Sequence, residues 1–90
     1  MIQVILGQTY YNKAFFNVSN VYREQLAQEG SIRLIFNDEN IYNGIIDRST
    51  DQIRLRNFPN EYSDYIQSNF RMGDVMILEL VDEITLMIQN

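Results

Sequence analysis

The chain has 90 residues, a formal net charge of −5, and neither cysteine nor histidine. These absences exclude disulfides, thiolate metal sites and histidine-based catalysis, so we expect no catalytic activity, no metal and no other cofactor. The length and the 46% hydrophobic content predict one folded domain over residues 1–90. The first hydrophobic run, 2–6, is far shorter than the roughly 20 residues of a membrane span and predicts no signal peptide. We therefore expect a cytoplasmic protein without a membrane partner.

The hydrophobic pattern predicts about seven short strands and two short helices. In chain order, the expected elements are a strand at 2–6, an exposed polar loop at 8–13, a strand at 14–18, a helix from 19 or 20 to about 28, a strand at 31–36, a turn at 37–40, a strand at 41–46, a second polar loop at 47–51, a strand at 52–56, a helix that begins near 60, and strands at 75–80 and 84–88.

Side-chain chemistry indicates where several of these elements begin and end. Ser19 or Asn20 supplies an oxygen that caps the first helix, and Gly30 suits the left-handed residue that ends it. Gly44, inside a strand pattern, is typical of a β-bulge. The expected hydrophobic faces of the two helices are Val21, Tyr22 and Leu26 in the first, and Tyr62, Tyr65, Ile66 and Phe70 in the second.

Short connections between the predicted strands favour antiparallel pairing. A barrel is the natural closure for such strands, because it leaves few open sheet edges. The sequence therefore predicts a mainly β (α+β) fold, a seven-stranded open pseudobarrel of mostly antiparallel strands with two short helices at its ends.

The acidic excess lies entirely in the last third of the chain. Residues 1–56 carry six cationic and six acidic side chains, whereas residues 57–90 carry one arginine and six acidic side chains. A fold that turns residues 57–90 away from a polyanion would leave the remaining surface able to approach one. Six of the seven cations are arginine, which makes planar, bidentate contacts with phosphate and guanine.

The carboxylates give little support for catalysis or metal binding. Asp38-Glu39 and Asp82-Glu83 fall in predicted turns, where short polar side chains are common. Asp47 and Asp51 alone are too few oxygen ligands to predict a divalent cation site.

Two polar stretches are better candidates for a binding site. The tyrosines, amide and cation of Tyr10–Lys13 suit stacking on bases and bonding to phosphates; the alternative is that one tyrosine packs inward and the rest decorate a loop. Gln52, Arg54 and Arg56 are two residues apart and therefore share one face of a strand. That face either contacts nucleic acid or is the ordinary solvated side of a half-buried sheet.

Two further motifs carry a resemblance to a known family. Phe15-Phe16-Asn17-Val18 precedes the first predicted helix, and Phe70-Arg71-Met72-Gly73-Asp74-Val75 places a Gly-Asp between the second helix and a strand. Together with the order of elements along nearly the whole chain, these motifs resemble the DNA-binding pseudobarrel superfamily. It includes the plant B-three transcription-factor domains and the recognition domains of EcoRII- and BfiI-type restriction endonucleases.

The resemblance implies that two loop arms enter the major groove of double-stranded DNA. The residues that it places on the duplex are Gln8, Thr9, Tyr10, Tyr11, Asn12 and Lys13 in the first arm, Asp47, Arg48, Ser49, Thr50 and Asp51 in the second, and Gln52 and Arg54 beside the second.

Side-chain geometry suggests a role for several of these arm residues. Arg48 suits guanine or phosphate, and Asn12 and Gln8 suit adenine. Asp47 or Asp51 would accept a hydrogen bond from cytosine or orient Arg48. Lys13 and Ser49 would position phosphates.

The leading interpretation is sequence-specific binding of double-stranded DNA, as a restriction-enzyme recognition domain or a small prokaryotic regulator. The alternative is an acidic protein-interaction module or inhibitor, of phage or plasmid type, that binds a basic protein. Its contact surface would be the acidic C-terminal third, with Asp74, Glu79, Asp82 and Glu83. A small-molecule-binding barrel has only the aromatic content in its favour.

Overall fold

A computed structural model describes residues 1–37, 40–49 and 51–90. The elements in chain order are β1 (Ile2–Ile5), α1 (Gln8–Asn12), β2 (Phe16–Val18), a 3-10 turn (Asn20–Tyr22), β3 (Gly30–Ile35), β4 (Ile41–Arg48), β5 (Ile53–Arg56), α2 (Asn60–Asn69), β6 (Val75–Asp82) and β7 (Thr85–Ile88).

The seven strands form one mixed sheet in the order β1-β6-β7-β3-β4-β5-β2. Its two outer strands, β1 and β2, lie next to each other, so the sheet is nearly closed as a barrel. The strands pair antiparallel except for β3 and β7, which are parallel. The predicted mainly β fold of seven mostly antiparallel strands with two short helices is therefore confirmed. The helices were expected at the two ends of the barrel, and this expectation is wrong, because α1 and α2 pack together at one end.

Alternation along the strands fills the barrel interior. In β1 and β3, every second side chain is buried and its neighbours face outward, as expected for a sheet with one solvated side. Burial of each large aliphatic side chain contributes about 1.5–3 kcal/mol. The strand residues that build this core are Ile2, Val4, Phe16, Val18, Ile32, Leu34, Ile46, Ile53, Leu55, Met76, Leu78, Leu86 and Ile88.

The two ends of the barrel are closed by different segments. Ile5 pairs with Val75, so β1 ends where β6 begins, and α1 and α2 pack together at this end. Val18 pairs with Ile53, so β2 ends where β5 begins. The 3-10 turn after β2 and the loop between β4 and β5 therefore lie at the opposite end.

Helix α2 contributes an aromatic cluster to the core. The Tyr62 ring stacks on Phe58 with centroids 4.8 Å apart and on Phe36 at 6.0 Å, and Tyr65 stacks on Phe36 at 4.2 Å. Tyr62 and Ile66 are fully buried, as the helical spacing predicts. The Tyr62 hydroxyl is buried without a hydrogen-bond partner.

The predicted helix over 19–28 is wrong, because only the 3-10 turn forms. Ser19 does act as the N-cap, accepting a bond from the Val21 amide, but the Val21 side chain is 76% exposed. The Ala27 amide donates instead to the carbonyl of Glu83, and Arg48 donates to the carbonyls of Arg23 and Leu26. These tertiary partners satisfy backbone groups that a helix would have paired internally.

The predicted bulge at Gly44 is also wrong. The β3–β4 register is continuous through the Ile32–Gly44 pair. A Cβ at Gly44 would lie 2.5 Å from Cε1 of Phe58 and 2.7 Å from the carbonyl oxygen of Arg56. Glycine is required here by close packing. The predicted turn at 37–40 includes Asp38 and Glu39, which lie outside the described residues.

We expect Gly44→Ala to destabilise the fold by about 3 kcal/mol, because the new methyl group must displace the Phe58 ring and the backbone of β5. Urea unfolding would measure the change. Gly7→Ala is the matched control, since a Cβ there meets nothing within 4 Å. Equal losses in the two variants would contradict the packing explanation.

We expect Tyr62→Phe to stabilise the protein by about 1 kcal/mol at neutral pH, since it removes a buried hydroxyl without a partner. Burial also raises the pKa of Tyr62 well above its ordinary value. The unfolded chain therefore releases this proton near pH 10 while the folded chain retains it, so stability falls as pH rises past 10. Thermal unfolding measured from pH 7 to 11 should show that Tyr62→Phe loses less stability at alkaline pH than the wild type does. The control variant Tyr65→Phe should lose as much stability as the wild type.

Candidate nucleic-acid interface

A row of hydrogen-bonded side chains crosses the outer face of β2 and β5. Asn17 and Arg54 are direct cross-strand partners. Arg54 donates from Nε to Oδ1 of Asn17 at 3.0 Å, and Asn17 donates from Nδ2 to Oε1 of Gln52 at 2.9 Å. We call Gln52, Asn17 and Arg54 the polar strip. Because each member holds the next, the strip presents its remaining polar atoms in a fixed arrangement.

Aromatic rings continue the polar strip toward α1. The Arg54 guanidinium carbon lies 4.7 Å from the ring centroid of Phe15, a cation–π contact. Phe15 in turn meets the Tyr10 ring edge-on, with centroids 5.7 Å apart. Arg54 is thus held at Nε and on one guanidinium face. No described residue bonds its two terminal nitrogens.

An ion pair flanks the polar strip on β4. Asp47, the cross-strand partner of Arg54, accepts a bond from Nε of Arg56 at 2.9 Å, and both side chains are about half exposed. Exposed pairs of this kind contribute little stability. Asp47 therefore bonds Arg56 and not Arg48. The other expectation, that Asp47 or Asp51 accepts a hydrogen bond from cytosine, stays a prediction.

The first predicted arm is a helix rather than a loop. The Tyr11 hydroxyl donates to the carbonyl of Phe70 at 3.2 Å, and Gln67 of α2 donates to the Tyr11 carbonyl at 3.3 Å. Asn12 donates to the Gln8 carbonyl at 2.8 Å. Tyr10 and Tyr11 are both partly buried against the core, so the alternative that one tyrosine packs inward and the rest decorate a loop is also wrong. The side chains that the helix leaves exposed are Gln8, Thr9, Asn12 and Lys13.

The second predicted arm begins inside a strand. Asp47 and Arg48 belong to β4, and only the residues after them form a loop. Arg48 donates from Nη2 to the carbonyls of Arg23 and Leu26, each at 2.6 Å. The structure therefore gives Arg48 an architectural contact, holding the segment after the 3-10 turn against the barrel.

The remainder of this loop is tied down through its backbone. The Ser49 amide donates to the Gln52 carbonyl at 2.9 Å, which closes the turn, and Arg23 donates to the Ser49 carbonyl at 2.9 Å. Asn20 donates to the Asp51 carbonyl at 2.6 Å. The side chains of Ser49 and Asp51 are exposed. Thr50 lies outside the described residues.

The two predicted arms lie at opposite ends of the β2–β5 ladder, with the polar strip between them. The first residue of the second predicted arm, Asp47, lies beside Arg54 of the strip itself.

The sheet order places three acidic side chains across the barrel from the polar strip. In a nearly closed barrel of this order, β5 lies across from the β6–β7 hairpin. The hairpin carries Glu79, Asp82 and Glu83 on exposed positions. Asp82 accepts a bond from the Ile84 amide at 2.9 Å, and this bond lowers the pKa of its carboxyl group, with a smaller contribution from Thr85. Asp82 is therefore an ionised turn residue on the side of the barrel away from the polar strip.

Sequence reasoning did not assign Asn17 and Phe15 to the site. Asn17 is the outward residue between the buried Phe16 and Val18, so alternation alone places it on the solvated face. The pairing of β2 with β5, which brings Asn17 beside Arg54, carries no signal within either segment.

Comparison with protein-family models, curated proteins and solved structures gives no match to this chain. The resemblance to the pseudobarrel superfamily and the DNA-contacting residues stay predictions. Within 1–37, 40–49 and 51–90, no helix is long and apolar enough to cross a membrane. The same residues contain no cluster of carboxylates suited to a metal ion.

The two arginines of this region should respond differently to truncation. We expect Arg48→Ala to destabilise the fold by about 3 kcal/mol, because two carbonyls lose their charged donor. Arg54→Ala should cost about 1 kcal/mol, since its bond and ring contact lie on the surface. Urea unfolding of both variants tests the assignment. Similar losses would mean that Arg48 is no more structural than Arg54.

Proposed function

We propose that this protein binds double-stranded DNA in a sequence-dependent manner, with the polar strip facing the major groove. The observation that carries the proposal is the fixed position of Arg54. Its guanidinium is held by Asn17 and Phe15, while its two terminal nitrogens form no hydrogen bond with a described residue. An arginine held this way loses little side-chain entropy when it binds, which favours recognition over a simple solvated role.

The chemistry of the polar strip fits base recognition in the major groove. The terminal nitrogens of Arg54 match the O6 and N7 acceptors of guanine, a bidentate contact that discriminates against other bases by about 1–3 kcal/mol. The Gln52 amide, steadied by Asn17, is placed to contact a neighbouring base. The exposed polar residues of α1 and of the loop after β4 flank the strip, where they would contact phosphates through Lys13 and Ser49.

Charge limits how tightly such a protein holds DNA. The cations nearest the strip are few, and Asp47 already neutralises Arg56. With two or three phosphate contacts, a plot of log affinity against log salt concentration should have a slope of about −2 to −3. The net charge of −5 adds a general repulsion, which the placement of β6 and β7 across the barrel reduces.

In this proposal the chain is a recognition unit and performs no catalysis. It would serve as the DNA-reading domain of a restriction endonuclease or as a small prokaryotic regulator in the cytoplasm. Any cleavage would be the work of another domain or subunit.

Selection from a randomised duplex library at about 50 mM salt tests the proposal, since low salt favours binding through few phosphates. We expect a short motif that contains an invariant guanine. Arg54→Ala should lower the affinity for that motif about thirtyfold and remove the preference at the guanine position.

Arg71→Ala is the matched control, because it removes the same charge from an exposed position outside the strip. It should keep the motif and most of the affinity. A library in which no motif is enriched, or equal effects of the two substitutions, would overturn the proposed role of the strip.

A second candidate function is supported by the opposite side of the barrel. On the outer face of β1, β6 and β7, exposed Ile5 lies opposite Val75, and exposed Met87 lies opposite Glu79. Hydrophobic side chains among carboxylates suit a basic protein partner better than a nucleic acid. Heparin or DNA-cellulose chromatography at low salt separates the two candidates. Retention that fades with salt supports DNA, and no retention supports the protein partner.

A further inference from the structure

The polar strip has a hydrogen-bond direction that its arginine imposes. The Nε of Arg54 can only donate, so the Asn17 atom that it bonds at 3.0 Å must be the amide oxygen. The Asn17 amide nitrogen then lies on the side of Gln52 and donates to Oε1 at 2.9 Å. Because this nitrogen can only donate, Gln52 must meet it with an oxygen. The orientation of both amides thus follows from one arginine.

This direction decides which polar atoms the strip leaves for a ligand. Arg54 keeps two terminal nitrogens and Gln52 keeps Nε2, and none of these three atoms bonds a described residue. All three are donors, whereas the side-chain oxygens of Asn17 and Gln52 each accept a bond already. Gln52 is exposed and Arg54 is partly exposed, so a ligand can reach both side chains. The strip therefore favours a ligand that carries acceptors side by side.

The bond from Asn17 is strong enough to set the amide of Gln52. An exposed amide can rotate and exchange the positions of its oxygen and nitrogen. In Gln52 this rotation would bring Nε2 against the Asn17 nitrogen, donor against donor, and break the bond at 2.9 Å. A hydrogen bond of ordinary net strength biases the two orientations about fivefold. Nε2 is therefore the amide atom that Gln52 offers to a ligand most of the time.

We propose that Asn17 is a positioning residue that makes Gln52 select a keto base, guanine or thymine, next to the guanine bound by Arg54. This proposal rests on the proposed function and names the second base that the strip reads. In the major groove guanine offers O6 and N7 as acceptors and thymine offers O4, whereas cytosine offers only its N4 amino donor. Adenine pairs best with an amide whose oxygen and nitrogen are both free, and the oxygen of Gln52 is already bonded.

Two substitutions reverse the direction of the strip while keeping its side chains nearly the same size. In Asn17→Asp the carboxylate still accepts from Arg54, but it can only accept from Gln52, which must turn Nε2 inward and Oε1 outward. In Gln52→Glu one carboxylate oxygen accepts from Asn17 and the other is left for the ligand. Asn43→Asp is the matched control, because it makes the same change in net charge on an exposed residue of β4 outside the strip.

Library selection at about 50 mM salt, repeated for each variant, measures the base preference. Next to the invariant guanine, we expect the wild type to disfavour cytosine about fivefold relative to guanine or thymine. Asn17→Asp and Gln52→Glu should favour cytosine or adenine there by about the same factor, since both bases carry an amino donor, and should keep the invariant guanine. Asn43→Asp should keep the wild-type preference, with only a uniform loss of affinity.

NMR of the free, ¹⁵N-labelled protein tests the hydrogen-bond direction without DNA. In the wild type, the side-chain amide of Asn17 should show the slow exchange and the downfield proton shift of a bonded donor, and the side-chain amide of Gln52 should not. In Asn17→Asp, the Gln52 amide should acquire both properties.

The two measurements separate the role of Asn17 from DNA binding itself. An unchanged preference in Asn17→Asp, beside a guanine that is still selected, would overturn the role of Asn17 and leave the proposed function standing. A loss of affinity in Asn17→Asp and Gln52→Glu that is uniform over all sequences would mean that Gln52 contacts phosphate, and it would also overturn the base preference. If no motif is enriched with any variant, the base preference and the proposed function both fail, whatever direction NMR reports.

Discussion

The parallel pairing of β3 with β7 joins two antiparallel sheets that would otherwise be separate. On one side stand β1, β6 and β7, and on the other β3, β4, β5 and β2. The joint is short, with three register pairs between Arg33–Ile35 and Thr85–Met87. It is reinforced where the Arg33 amide donates to the Ile84 carbonyl at 2.8 Å and the Arg33 side chain donates to Thr85, the buried polar residue of this ladder. Closure of the barrel and the position of β5 opposite the acidic β6–β7 hairpin both follow from this pairing.

Hydrophobic alternation was sufficient to predict the strands and the barrel. The pattern of Ile32, Leu34 and Phe36 and the stripe along α2 reflect burial, and burial is the main constraint on those residues. The 19–28 segment could not be predicted in the same way. The groups that bond its backbone, on Glu83 and Arg48, are far away in the sequence. The helix was predicted from local propensity, which these tertiary contacts override. Helix α1 is short, and its polar residues carry no helical period.

The candidate site was predicted in part for a related reason. Arg54 was identified because the Gln52–Arg56 alternation places it on a solvated strand face, which depends only on local sequence. Arg48 looks similar in the sequence, yet its guanidinium is bonded to backbone carbonyls some 22 and 25 residues away. Whether an arginine holds the fold or faces a ligand depends on which acceptors the topology brings to it. For the same reason, the sequence alone did not identify Asn17 as a site residue, because its hydrogen-bond partners lie 35 and 37 residues away along the chain.

The β1–β6 ladder imposes an order on how this chain acquires its structure. Ile2 pairs with Leu78, so β1 has no partner strand until the ribosome has also made β6. The β3–β4 hairpin, by contrast, is local and closes as soon as its residues emerge. Pairings so distant in sequence carry a large loop-closure entropy and slow the folding of β proteins. During that interval, the apolar face of β1 is exposed to other chains, a period in which aggregation competes with folding.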